Sequence, residues 1–167
     1  ALAMCGYAKK DLASIIECKF WQSHKRVAII GRSIDWFAEE LRRKYPDLKV
    51  ILYEQGQLND DKLVMEFDLD GIFAFKYFHS FPDPEVTKRL EIIRGVISKN
   101  GFLYMGEMLT KIDSPEGSLL DLNMLLESGG QLRTLEHWRD LFSRSGMEIE
   151  QIFHFSDSFD VLKVKYV

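Results

Sequence analysis

The chain has 167 residues, of which 46% are hydrophobic, 13% aromatic and 29% charged, the proportions of one globular domain rather than a disordered or low-complexity chain. Lys and Arg number 22 against 26 Asp and Glu, a net charge of −4, so no basic surplus exists to attract nucleic acid or an anionic membrane surface. Cys5 and Cys18 allow neither a disulfide framework nor a zinc knuckle. No run approaches the roughly 18 apolar residues of a membrane span, and the opening Ala-Leu-Ala-Met is too short for a signal-peptide core. Unpaired thiols suit a reducing cytosol, so a cytoplasmic chain is expected. Ala in place of Met at position 1 reads as a fragment or a processed chain.

Residues 1–26 read as a helical lead-in, with Leu12, Ile15, Ile16 and Phe20 on one face and Asp11 as its N-cap. The α/β domain is expected over 27–167. Val27-Ala28-Ile29-Ile30, ending in Gly31, has the form of a strand buried on both faces. Ile34, Phe37, Ala38, Leu41 and Tyr45 then recur at helical spacing up to Pro46. Val50 to Tyr53 reads as a second buried strand closed by Glu54, and Gly71 to Phe75 as a third. Val86, Leu90, Ile93 and Ile97 mark a helix after Pro84, followed by a strand at Phe102 to Met105. Helices are expected near 118–127 and 134–144. Residues 147–155 and 161–166 alternate, and with the polar loop Ser156-Asp157-Ser158 between them they predict an antiparallel hairpin at the sheet edge. Strands alternating with helices predict a mostly parallel sheet covered on both faces.

In such sheets ligands bind beyond the carboxyl ends of the strands, which directs attention to the residues just past each apolar run. Gly31-Arg32-Ser33-Ile34-Asp35 follows the first strand and keeps a single glycine of the kind that lets backbone approach a ligand or take a positive φ; a plain strand-to-helix turn explains it equally well. Glu54 follows at roughly the 20-residue spacing of the carboxylate that holds a ribose diol, though a solvated strand-end glutamate reads the same. His79 and Glu107 stand just past the third and fourth strands. On neighbouring strands, a carboxylate on one imidazole nitrogen would orient the ring as a general base; the plain alternative is a satisfied, partly buried histidine. His24, His137 and His154 have no metal-ligand spacing, so no metal is assigned.

Several segments then occur in a recognisable order: Phe81-Pro82-Asp83 after His79, the run Gly101 to Glu107, Asp121-Leu-Asn-Met-Leu125, Ser128-Gly-Gly-Gln-Leu-Arg-Thr134, Trp138 and Ser145-Gly146-Met147. Across essentially its whole length the chain resembles the S-adenosylmethionine-binding domain of O-methyltransferases of the plant caffeic-acid type and the bacterial polyketide type. The resemblance implies a Rossmann-like class I methyltransferase sheet, α/β and mostly parallel, with an antiparallel C-terminal hairpin at one edge. It implies S-adenosylmethionine as cofactor and a small phenolic or polyketide-like hydroxyl as acceptor. His79 matches the family's catalytic base, Glu107 the carboxylate that orients it, and Met124 a methionine that packs on the acceptor ring, although a Met on a helix's core face reads the same way.

The departures concentrate at the cofactor. Ser33 and Asp35 replace the second and third glycines of the family's Gly-x-Gly-x-Gly turn, next to Gly31, while Glu54 keeps the ribose carboxylate. The stretch from Glu54 to Asp70 is shorter than in the family, with Leu63-Val64-Met65 as the remnant of a strand and Asp60 or Asp61 nearby. Leu132 stands where the family has a second supporting carboxylate, and Ser80-Phe81 where it has Asp-Trp. The family's N-terminal winged-helix dimerisation part has no counterpart in these residues; a homodimer is expected if the full-length protein has that part. The lost glycines support a second reading, a degenerate methyltransferase fold that binds no cofactor and serves as a scaffold. A third keeps the cofactor for other chemistry.

Overall fold

The computed structural model describes residues 12–31, 34–54, 68–109, 131–156 and 159–167. Within them the apolar runs become β1 (Arg26–Gly31), β2 (Lys49–Glu54), β3 (Leu69–Phe75) and β4 (Ile97–Glu107), and the alternating segments become β5 (Met147–Ser156) and β6 (Phe159–Tyr166). The strand order is β2-β1-β3-β4-β6-β5. The first four strands are parallel, while β6 runs antiparallel to both β4 and β5. This mixed sheet, with helices packed on it, is the predicted Rossmann-like arrangement with its antiparallel hairpin at the edge.

Both faces of the central strands are covered, which is why these strands are apolar without alternation. On one face Ala28, Ile30, Ile72, Ala74, Leu103 and Met105 pack under the second helix, α2 (Asp83–Val96), and the third, α3 (Leu135–Arg144). On the other, Val27, Ile29, Phe73 and Tyr104 pack under the first helix, α1 (Asp35–Lys44), and the lead-in. The lead-in is helical over 12–16, with Leu12 and Ile15 buried, and Trp21 of the following 3-10 turn donates its indole N–H to the Ile15 carbonyl at 2.8 Å. Each such large apolar side chain contributes about 1.5–3 kcal/mol on burial. Asp35 in the first turn of α1, and Arg42, Arg43 and Lys44 in the last, match the helix dipole. Thr134 caps α3 by accepting from the His137 N–H at 3.2 Å.

Two readings of the sequence need correction. The strand at 50–53 is not buried on both faces: Val50 is buried, but Ile51, Leu52 and Tyr53 are half-buried. Among the described strands β2 is outermost and pairs only with β1, so one side lacks cover. Ile97 belongs to a strand and not to the helix: α2 ends at Val96, and Ile97 pairs at once with Leu69. The register shift that follows brings backbone close to Gly101, where a Cβ would lie 2.8 Å from the carbonyl oxygens of Leu69 and Asp70.

At the amino end of the sheet, Asp70 Oδ2 accepts the backbone N–H groups of Lys25 (2.6 Å) and Arg26 (2.8 Å), tying β3 to the start of β1. His24 Nε2 and the Tyr104 hydroxyl lie 2.7 Å apart in a buried site. Burial pushes the His24 imidazole below its ordinary value, against the opposing pull of Asp70, and burial raises the Tyr104 phenol. The expected helix at 118–127, the remnant strand at 63–65, residues 1–11 and the 157–158 loop lie outside the described residues.

Candidate active site

The chain passes from β1 outward to β2, then returns across β1 to β3. Strand order therefore reverses between β1 and β3, and the carboxyl ends of these strands are where an open α/β sheet binds ligands. Gly31 closes β1 and stands in register with Glu54, which closes β2. Gly31 is needed for space and not for a left-handed backbone: a Cβ would lie 2.9 Å from Ile34 Cδ1 and 3.0 Å from the Phe75 carbonyl oxygen. Asp35 is exposed at the first residue of α1, where its charge complements the helix N-terminus. Ser33 and Met124 lie outside the described residues, as do Asp60 and Asp61.

His79 sits in the 3-10 turn Phe78–Ser80, a few residues past β3, and Glu107 is the last residue of β4. These strands are neighbours, so the two side chains meet: His79 Nδ1 lies 3.1 Å from Glu107 Oε2. Glu107 is 2% exposed, and its other oxygen accepts the Phe78 N–H at 2.8 Å. One buried carboxylate thus holds both the backbone of the turn and its imidazole. With Nδ1–H donating to Glu107, the tautomer follows, and Nε2 is the ring nitrogen left to accept a proton.

Two further residues come to this end of the sheet without a role assigned from the sequence. Lys76 follows β3 with φ of 44°, a left-handed conformation that a non-glycine residue adopts only when its surroundings enforce it. Its N–H donates to the Gly106 carbonyl at 2.8 Å, and its ammonium lies over the rings of Phe75 (5.3 Å) and Phe159 (5.6 Å). No sequence pattern marks a left-handed lysine.

Arg133 is 1% exposed, and an arginine is almost never that buried unless paired. Its Nε and Nη2 lie 2.9 and 2.8 Å from Asp83 Oδ1, and Nη2 also donates to the Phe81 carbonyl at 2.7 Å. Its Nη1 reaches the carbonyls of Phe78 (3.4 Å) and Gln131 (3.3 Å). His137 Nε2 lies 2.8 Å from Asp83 Oδ2, and the Gln131 N–H donates to the His79 carbonyl at 2.9 Å. Burial works against the charge of Asp83, but Arg133 and His137 together hold its carboxyl below the ordinary range. The signal available in the sequence was an arginine three positions after Gly-Gly; its partner lies 50 positions away. Leu132, at the position of the family's second carboxylate, is half-buried. Among the described residues no group of three or more His, Cys, Asp or Glu side chains could hold a metal ion, and no helix is long and apolar enough to cross a membrane.

No family model matches the chain. A probable scoulerine-9-O-methyltransferase of Papaver somniferum is 24% identical over 148 residues, 80% of this chain and 44% of that protein. The structure of the mitomycin 7-O-methyltransferase MmcR superimposes with a TM-score of 0.86 at 14% identity, covering 99% of this chain and 56% of that one. The O-methyltransferase NcsB1 from neocarzinostatin biosynthesis, solved with S-adenosyl-L-homocysteine and 1,4-dihydroxy-2-naphthoic acid, gives 0.80 at 14% identity over 99% and 56% of the two chains. The chain spans about half the length of the relatives it matches. It carries the Rossmann-like class I methyltransferase fold, and the three relatives named here are O-methyltransferases.

Proposed function

We propose that this chain is the donor-binding and catalytic part of an S-adenosylmethionine-dependent O-methyltransferase acting on a small-molecule hydroxyl of phenolic or polyketide-like type. The observation that carries the reading is the 3.1 Å pairing of His79 Nδ1 with buried Glu107 at the carboxyl end of the sheet. The residues there suit the donor. Gly31 and Glu54 end neighbouring strands in register at the strand-order reversal, and in this reading Glu54 takes the ribose diol of the donor. In this reading Ser33 and Asp35 complete the turn around the donor, and Met124 packs on the acceptor ring. A cytoplasmic location, and a homodimer where an N-terminal domain exists, belong to the same proposal.

The bound donor supplies a methyl group already activated on sulfonium. His79 Nε2 takes the proton of the acceptor hydroxyl, and Glu107, fixed at the end of β4, holds the ring and its turn and stabilises the imidazolium that forms. Base catalysis of this kind is worth roughly 10²–10⁴ in rate, and alignment in a closed site adds several kcal/mol.

Calorimetric titration of the chain with S-adenosylmethionine and S-adenosylhomocysteine, on the wild type and on Glu54→Ala, tests the donor site. Binding in the micromolar to sub-millimolar range that weakens at least tenfold in Glu54→Ala is expected. Absence of heat at millimolar ligand refutes the reading and leaves a fold retained as a scaffold. Where methyl transfer to 1,4-dihydroxy-2-naphthoic acid or another phenol is found, His79→Ala should lower turnover by about 10²-fold with donor affinity nearly unchanged.

A further inference from the structure

We propose that Arg133, paired with Asp83, is the positioning residue that holds the His79 turn against Glu107. The proposal rests on the functional reading above for the importance of His79, but not for its geometry. The turn Phe78–Ser80 is three residues long, too short to persist on its own hydrogen bonding. Its fixation comes from outside. Glu107 takes the Phe78 N–H at one end, and Arg133 takes the carbonyls of Phe78 and Phe81, which bracket His79 and Ser80.

The same guanidinium bonds Asp83, the first residue of α2, and the Gln131 carbonyl, so all five of its N–H groups have acceptors, and its face lies 5.0 Å from the Trp138 ring centroid. A planar fork with acceptors on three sides is a task lysine cannot perform, because an ammonium is a point charge at the end of a flexible stem. Arg89 grips the outer side of the same turn: its guanidinium stacks on Phe81 at 3.8 Å and donates to the Tyr77 hydroxyl at 3.0 Å. Arg89 contacts no carbonyl within the turn that the structure assigns to Arg133, so the two grips are separable.

The bland role for Arg133 is a helix staple between the start of α2 and the segment before α3. The two roles separate by substitution. Asp83→Asn keeps an acceptor for Arg133 and weakens the staple, while Arg133→Lys keeps the charge and loses the fork on the turn. The readout is the ¹⁵N signal of the His79 ring, which reports the hydrogen bond from Nδ1 to Glu107 and needs neither donor nor acceptor bound.

The expected result is a His79 ring signal displaced in Arg133→Lys toward that of Glu107→Gln, with Asp83→Asn staying close to wild type and β1 and β3 amide signals unmoved. Should Arg133→Lys fail to fold, Arg133→Met, which keeps an unbranched side chain in the buried space and removes the donors to the Phe78 and Phe81 carbonyls, carries the same test. A His79 signal identical to wild type in whichever of these variants folds overturns the proposal. In an active preparation Arg133→Lys should lower kcat by on the order of 10–100-fold with KM for the donor little changed. A wild type that does not bind S-adenosylmethionine would refute the functional reading and leave the His79 measurement standing.

Discussion

Removal of the Glu107 carboxylate tests whether it stabilises the turn as well as orienting the imidazole. Glu107 is 2% exposed and accepts from the Phe78 N–H at 2.8 Å, a donor on a residue that is itself fully buried. Glu107→Ala leaves that N–H without a partner, which costs about 1–3 kcal/mol. It also removes one buried methylene, worth about 0.8 kcal/mol. Relief of a buried charge offsets part of this, so the net loss expected is about 1.5–3.5 kcal/mol, a large share of the 5–15 typical of a domain. Glu107→Gln keeps a carbonyl oxygen for Phe78 and loses only the charge assistance and the His79 contact, about 1 kcal/mol. Urea unfolding followed by the fluorescence of buried Trp21 and Trp138 measures both variants. Under the proposed function the order reverses in significance for turnover, since Gln presents an N–H₂ donor to Nδ1 and should lose about 10²-fold while nearly keeping its stability. If Ala and Gln destabilise equally to within about 0.5 kcal/mol, the bond from the Phe78 N–H to Glu107 does not hold the turn, and the reasoning is wrong.

Gly31→Ala should destabilise by about 1–3 kcal/mol, because its Cβ would meet Ile34 Cδ1 at 2.9 Å and the Phe75 carbonyl at 3.0 Å. Adding Ile34→Val removes the first contact and should restore part of the loss; a double-mutant cycle in urea showing strict additivity would contradict the packing argument. His24 bears on pH dependence. Burial holds its folded pKa below 6.5, so below that value the unfolded chain binds more protons than the folded one. Its contribution is therefore fully present above 6.5 and is lost as pH falls toward the folded value. Stability measured between about pH 7.5 and about pH 5 should fall more steeply in wild type than in His24→Leu, and equal slopes would refute the assignment.

The central elements could be read directly from the residues. Val27–Ile30, Gly71–Phe75 and Phe102–Met105 are apolar without alternation because both faces of the sheet are covered, and 147–155 and 161–166 alternate where the sheet reaches its edge. The β2 run looks equally apolar in sequence, yet its place at the side of the described sheet leaves three of its residues half-buried. Periodicity encodes what a segment prefers to bury, and neighbours decide how much it does.

The candidate site divides in the same way. His79 and Glu107 could be singled out because each follows a strand, and position at a strand end is a local property. That their side chains meet depends on β3 and β4 lying side by side, which is a pairing between distant segments. Asp35 was picked out by its place in a glycine turn, and the fold sets it exposed at a helix N-terminus, a placement that the turn alone did not specify. Lys76 carried no local signal, and Arg133 stood in the Gly-Gly-Gln-Leu-Arg-Thr segment with nothing nearby to name its partner. A buried arginine is explained only by the carboxylate and carbonyls that approach it from 50 or more positions away, and a left-handed lysine only by the strands that force the backbone to turn there. The sequence alone determined which segments are strands and helices, because hydrophobic periodicity and capping act over a few residues. Only the tertiary structure decided which polar groups meet at the strand ends, because hydrogen bonds act over about 3 Å and require partners that folding alone brings within reach.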